Sequence, residues 1–242
     1  MRSKILSLLA VAFSLGFAQA ASAADMPTKA PILKAPAVIP YNWTGWYVGA
    51  TAGYVFGRSQ HCDPPGSGFC TDTFNVDGFA GGGTLGYNWQ RNNWVFGLET
   101  DFSGSAAKGS TPTVPFGVGT GYGCGIDATC RTSLDWFGTI RGRAGPAFNN
   151  WFPYLTGGFA YGEEKASLGA GLLSATGTRT GWTAGGGVEY AFLPQHWSVK
   201  LEYLYFHLGN LFYDSAGLCG NLDCTAIHNN YNLVRVGVNY RF

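Results

Sequence analysis

The chain has 242 residues; 12% are charged, about half the usual share for a soluble domain, and 46% are hydrophobic, with eight tryptophans. A formal charge of +1 excludes a strongly basic nucleic-acid binder, and the apolar content excludes a chain that stays disordered. With 37 glycines and 16% aromatic residues, helices are disfavoured and strands favoured, which leaves an all-β protein whose outer surface is not meant for water.

The N-terminus reads as an address. Arg2 and Lys4 precede an apolar run from Ile5 to Phe17, and Ala21-Ser22-Ala23 fits the small-x-small pattern cut on export. Residues 1–23 are therefore expected to be a signal peptide, whose removal takes the net charge from +1 to −1. The apolar run is too short to cross ~30 Å of hydrocarbon, and no cysteine follows it to carry a lipid anchor. No later stretch reaches eighteen continuous apolar residues. Pro27, Pro31, Pro36 and Pro40 make residues 24–42 an extended, proline-rich periplasmic leader, and residues 43–242 read as one barrel domain.

From Trp43 onward, apolar and polar residues alternate with period two, the mark of strands with one apolar face. Eight strands are predicted, at about 44–57, 75–89, 93–105, 133–145, 151–162, 180–192, 197–208 and 230–242. Gln90–Asn93, Pro146–Asn150 and Leu193–His196 are tight turns, whereas 58–74, 106–132, 163–179 and 209–229 are long loops. Alternating short and long connections are the pattern of an eight-stranded antiparallel, up-and-down transmembrane β-barrel, with turns in the periplasm and loops outside. Trp89, Trp94, Trp151, Phe192, Trp197, Tyr240 and Phe242 fall beside the short turns or the C-terminus. Tyr54, Phe56, Phe102, Trp136 and Tyr205 fall near the long-loop ends. Two belts of this kind belong at two membrane interfaces. A soluble sandwich would also alternate, but it rarely ends its last strand on an aromatic carboxy terminus.

The last strand, Arg235-Val236-Gly237-Val238-Asn239-Tyr240-Arg241-Phe242, resembles the C-terminal assembly signal of outer-membrane barrels, with Gly237, Tyr240 and Phe242 at its defining positions. Ala24-Asp25-Met26-Pro27, Trp43-Thr44-Gly45-Trp46-Tyr47-Val48-Gly49 and Gly138-Thr139-Ile140-Arg141-Gly142-Arg143-Ala144-Gly145 extend the likeness. Over nearly the whole mature chain it is similar to the small outer-membrane β-barrel proteins of alphaproteobacteria, porin-family relatives of the OmpA and opacity-protein barrels. The resemblance implies a Gram-negative outer membrane, lipid and lipopolysaccharide around the wall, and delivery by the barrel-assembly machinery through the last strand. It is specific for architecture, not for an activity.

If the apolar parity faces lipid, the other parity sends Glu99, Asp101, Glu189 and Glu202 inward, with Arg141, Arg143, Lys200, Arg235 and Arg241. An eight-stranded barrel is just wide enough to be filled by side chains, so four acids and five bases are expected to form a cross-linked ionic plug. Gly49, Gly82, Gly185 and Gly187 are expected to make room for the Arg and Lys stems. A gated pore is the competing reading.

Six cysteines fall in pairs within the long loops, none in a predicted strand: Cys62 and Cys70, Cys124 and Cys130, Cys219 and Cys224. Three local disulfides are expected in an oxidising compartment. A metal site with His61 or His228 lacks any C-x-x-C spacing and is not expected. Gly81-Gly82-Gly83-Thr84-Leu85-Gly86 matches a dinucleotide fingerprint only by letters, since it lies inside a strand. His196-Trp197-Ser198 sits at a periplasmic turn, His207 and Asp214 have no serine nearby, and Glu99 with Asp101 is better read as plug. Catalysis and cofactors are not expected, and the oligomeric state is left open. The expected role is a non-enzymatic surface protein supporting envelope integrity and external contacts. A small-solute porin is the alternative, or haem or adhesive binding by loop residues such as His61, Phe69, Phe116, Tyr122, Tyr213 and His228.

Overall fold

The computed structural model describes residues 41–63, 69–70, 73–111, 129–168, 173–192, 196–213 and 225–242. The expected signal peptide and most of the leader lie outside them. Tyr41 and Asn42, which the sequence places in the leader, belong with the barrel: Tyr41 is buried in its turn-end cluster and the Asn42 carbonyl accepts from Arg241.

Nine strands follow one another: β1 (Gly45–Asp63), β2 (Phe69–Cys70), β3 (Phe74–Arg91), β4 (Trp94–Thr111), β5 (Cys130–Pro146), β6 (Trp151–Leu168), β7 (Leu173–Phe192), β8 (Trp197–Tyr213) and β9 (Thr225–Arg241). β1 and β3 to β9 form an eight-stranded antiparallel sheet in chain order. It closes on itself where β1 meets β9, from Tyr47↔Arg241 to Cys62↔Ala226. Closure leaves none of the eight strands with an open edge, so the backbone polar groups of the wall are paired without water.

Two tight turns depend on asparagine. Arg91 pairs with Trp94 around Asn92, at φ 55°, and Phe148 pairs with Trp151 around Asn149, at φ 52°. Asparagine enters this left-handed region at lower cost than most residues.

Seven of the eight long strands match the predicted ones to within a residue at their turn ends but run further at their loop ends; β3 gains two residues at its turn end and one at its loop end. All eight are 17 to 20 residues long. At ~3.3 Å per residue and a tilt of about 40°, that is roughly 40 Å of height against an apolar band of ~25 Å. Beyond the lipid a strand keeps its backbone ladder without needing an apolar face, so the hydrophobic alternation stops before the strand does. The register shifts between Gly104 and Ala107 and between Leu208 and Leu211 fall where these extensions begin, and the one between Leu134 and Trp136 falls just inside the predicted strand; at each a bulge re-aims side chains. Cys62, Cys70 and Cys130 consequently lie in β1, β2 and β5 rather than in loops.

The outside is apolar. Trp46, Val48, Phe79, Leu85, Leu98, Phe102, Ile140, Leu155, Leu201 and Val236 are each 40–75% exposed around the wall. Such a continuous apolar surface is stable only against lipid.

Candidate functional site

Because strand parity alternates, every second residue points inward, and the barrel interior is filled in three layers. At the turn end, Tyr41, Trp43, Val95, Ala147, Phe152, Tyr154 and Ala191 form a buried apolar cluster. Trp43 is fully buried, with Tyr41 edge-on at 4.8 Å and Phe152 at 5.2 Å between ring centroids. At the loop end, a second cluster includes Val55, Val76, Leu134, Phe137, Leu204, Phe206, Leu208, Tyr231 and Leu233.

Between them lies the charged layer. Glu99, Asp101, Glu189, Glu202, Arg141, Arg143, Lys200 and Arg235 are all 0–3% exposed. Direct cross-strand neighbours supply the framework: Glu99↔Arg141, Glu189↔Lys200 and Glu202↔Arg235. Arg141 binds Glu99 at 2.6 Å, Asp101 at 3.0 Å and Glu202 at 3.0 Å. Arg235 binds Glu202 at 2.6 Å and Asp101 at 3.1 Å, and Lys200 binds Glu99 at 2.8 Å. Arg143 reaches Glu189 at 2.9 Å and Glu99 at 3.4 Å. Its guanidinium also lies 4.5 Å from the centre of the Tyr47 ring.

Polar residues not singled out in the sequence complete the layer. Tyr47 and Tyr154 donate to Glu99 and Glu202, Ser198 and Asn239 donate to Glu189, and Thr139 donates to Asp101. Arg143 Nε donates to Asn88. Near the outer end, Asn229 and Tyr231 donate to the buried Glu164. The parity that places Glu99 and Arg141 inward places these residues inward too, so alternation is the sequence signal that marks them.

Arg241 departs from the expected network. Its guanidinium lies 5.0 Å from the Tyr41 ring and 4.9 Å from the Trp43 ring, and Nη1 donates to the Asn42 carbonyl at 3.0 Å. It is the last inward residue of β9, level with the aromatic cluster rather than the acids. Without it, four acids meet four bases and the layer is formally neutral.

The four named glycines also have a different task from the one expected. A Cβ on Gly49 would strike Asn239, on Gly82 the Phe102 carbonyl, on Gly185 the Tyr203 carbonyl and on Gly187 the Leu201 carbonyl. They relieve crowding on the concave side of a tightly curved sheet. Room for the long cations comes from Gly97 beside Arg143, Gly53 beside Arg235 and Gly237 beside Lys200.

Of the cysteines, Cys62 and Cys70 stand directly opposite each other in the β1–β2 ladder. Cys130 is fully buried and disulfide-bonded. Cys124, Cys219 and Cys224 lie outside them as well, as do Asp214 and the side chains of His61, Phe69, Phe116, Tyr122, Tyr213 and His228. His196 and Ser198 do not combine. His196 faces the Arg241 carbonyl at 3.0 Å, whereas the Ser198 hydroxyl is taken by Glu189. Gly81 to Gly86 lie within β3, as strand residues. At the C-terminus, Tyr240 packs against Trp197 and Phe242, and Phe242 is 71% exposed on the outside.

The outer membrane protein beta-barrel domain model matches residues 8–242. The chain belongs to this outer-membrane β-barrel family. It is 37% identical over 265 residues to the 31 kDa outer-membrane immunogenic protein of Brucella melitensis biotype 1, covering 100% of both chains. It is 31% identical to the 25 kDa outer-membrane immunogenic protein of Brucella abortus biovar 1, over 94% of this chain and 93% of that one. It is also 31% identical to the 22 kDa outer membrane protein of Rhizobium leguminosarum bv. viciae, over 86% and 82%. The protein is thus a Gram-negative outer-membrane barrel, its apolar belt set in lipid and its longer strand ends on the loop side.

Proposed function

We propose that this outer-membrane barrel is a closed, non-conducting and non-enzymatic surface protein, which supports the envelope through its wall and its external contacts. The observation that carries the reading is the filled interior. The eight charged residues at its centre are 0–3% exposed, which supports an interior packed by side chains rather than by water. Apolar layers lie both below and above. Among the described residues, each acid of the central layer is engaged by an arginine or lysine, which leaves none placed as a free general base. The Brucella relatives are named outer-membrane immunogenic proteins, a description that fits a protein met at the cell surface. Delivery through the last strand fits the exposed Phe242 and the half-buried Tyr240 on its outer face, which the assembly machinery would read before the barrel closes.

Single-channel recording of the refolded mature protein in a planar bilayer tests this reading. Folding is verified first by the gel shift between heated and unheated samples. A silent bilayer is expected. Stable, reproducible conductance steps would replace the plug with a small charged pore.

A further inference from the structure

Outside the wall, beyond the outer aromatic belt, three cations converge. Lys108 on β4, Arg131 on β5 and Lys165 on β6 are exposed, and with Ser110, Ser133 and Ser167 they line a cavity of about 690 Å³. Strand register makes the arrangement: Lys108 lies opposite Ser133, Ser110 opposite Arg131, Arg131 opposite Ser167 and Ser133 opposite Lys165. Cations and hydroxyls therefore alternate across three neighbouring strands. Phe102, Trp136 and Tyr161 of the belt precede them toward the membrane on the same strands, with Phe102 stacked on Trp136 at 5.5 Å. At ~3.3 Å per tilted residue the cavity stands roughly 10–15 Å above that belt, at the height of lipid headgroups and their first sugars.

The cations are not equally free. A register shift between Leu134 and Trp136 brings Asp135 beside Lys165, which it binds at 2.5 Å, with Glu163 at 3.7 Å. Among the described residues, neither Lys108 nor Arg131 has a carboxylate within ion-pair distance. Arg131 is thus the least compensated of the three cations, while Lys108 stands opposite Asp77 on β3 and its charge is felt by Asp135; both face sideways, where the neighbour is the outer leaflet. A guanidinium matches phosphate in a fork, an ammonium serves it as a point charge, and serine hydroxyls pair with sugar hydroxyls. The volume suits a sugar head of one or two rings.

We propose that this cavity on the outer wall of β4, β5 and β6 binds the phosphorylated sugar head of an outer-leaflet glycolipid. This deepens the external-contact part of the proposed function and rests on the outer-membrane setting, not on whether the barrel conducts.

The parent and the K108Q/R131Q double variant, both verified folded by gel shift, are compared for retention of purified lipopolysaccharide in detergent. Dephosphorylated lipopolysaccharide and the acyl-free core saccharide, a soluble source of the same chemistry, are run in parallel. Losing two surface charge contacts is expected to lower retention about fivefold to tenfold. For the parent, dephosphorylation should cost a similar factor, and the acyl-free saccharide should compete poorly. The single variants, expected at intermediate retention, keep the test open if the double variant folds badly. Equal retention by parent and variants, or indifference to dephosphorylation, would overturn the site. Competition by the acyl-free saccharide as strong as by the lipid itself would overturn the glycolipid assignment. A conducting barrel that shows the expected retention would sink the plug and leave this site standing.

Discussion

Arg141 on β5 and Glu99 on β4 stand directly opposite each other, and their side chains meet at 2.6 Å in the middle of the barrel with 1% exposure on each. Neither ion is stable there alone. Removing one partner leaves an uncompensated buried charge, which costs about 3–5 kcal/mol, whereas replacing a pair by well-packed apolar groups can be neutral. Arg141→Met is therefore expected to lower the urea stability of the refolded barrel by about that amount, and Glu99→Gln by a comparable amount. The double variant should lose less than the sum, because the two changes remove one shared interaction. Strict additivity in the unfolding curves would mean that the two residues do not act as a pair.

The parity of the strands was legible from the sequence because lipid on one side forces an unbroken apolar face. Trp197, Val199, Leu201, Tyr203 and Tyr205 betray strand β8 at a glance. Leu204, Phe206 and Leu208 were harder to read. They are inward residues of the same strand, but they are apolar like their outward neighbours, so the contrast that reveals parity vanishes there. The layering of the interior therefore leaves no hydropathic contrast in the sequence. The strand extensions carrying Cys62 and Cys130 were missed because pairing outside the bilayer is held by backbone hydrogen bonds, which leave no hydropathic trace. Arg241 was assigned to the charge network by parity alone, and parity does not report height along the barrel axis.

Neighbouring glycines on β3 separate the two faces of the wall. A Cβ on Gly82 would collide with the Phe102 carbonyl and approach Ser103, whereas one on Gly83 would meet nothing nearer than the Gly49 carbonyl at 3.7 Å. The difference is curvature: the concave face has no space beside the neighbouring backbone. Gly82→Ala is expected to destabilise the barrel by about 1–3 kcal/mol through overpacking, and Gly83→Ala by less than about 0.5 kcal/mol. The two thermal unfolding midpoints, measured in the same detergent, check this. Equal effects would mean that the barrel flattens locally to accept the methyl.

Asp135 lies beyond the outer belt. The hydrogen bond from Lys165 holds its carboxyl below the usual carboxylate range, helped by Ser133 and by the Lys108 charge. A depressed acid contributes stability above the pH where the unfolded aspartate titrates, about 3.9, and loses it as pH falls through the lower folded value. Its side chain is about one-third exposed, so solvent screening limits the contribution to less than about 1 kcal/mol. Asp135→Asn should therefore cost a few tenths of a kcal/mol at pH 7 and about nothing at pH 2 or in 1 M salt. A stability difference that persists under acid or high salt would point to a packing role instead.

Trp43 has the opposite character: fully buried, and wedged between Tyr41 and Phe152 at the turn end of the barrel. Truncating an aromatic side chain in such a cluster costs about 3–5 kcal/mol, from lost burial and the cavity left behind. Trp43→Ala is expected to destabilise the refolded barrel by that amount, and to release the Arg241 guanidinium from one of its two rings. It should not open a pore, because the neutral charged layer and the outer cluster around Leu204, Phe206 and Leu233 lie above it and keep their own contacts. A destabilised but silent barrel in the planar bilayer is the outcome expected of three stacked layers. Conductance steps from Trp43→Ala alone would show that the turn-end cluster is the seal, and that the layers above it leak.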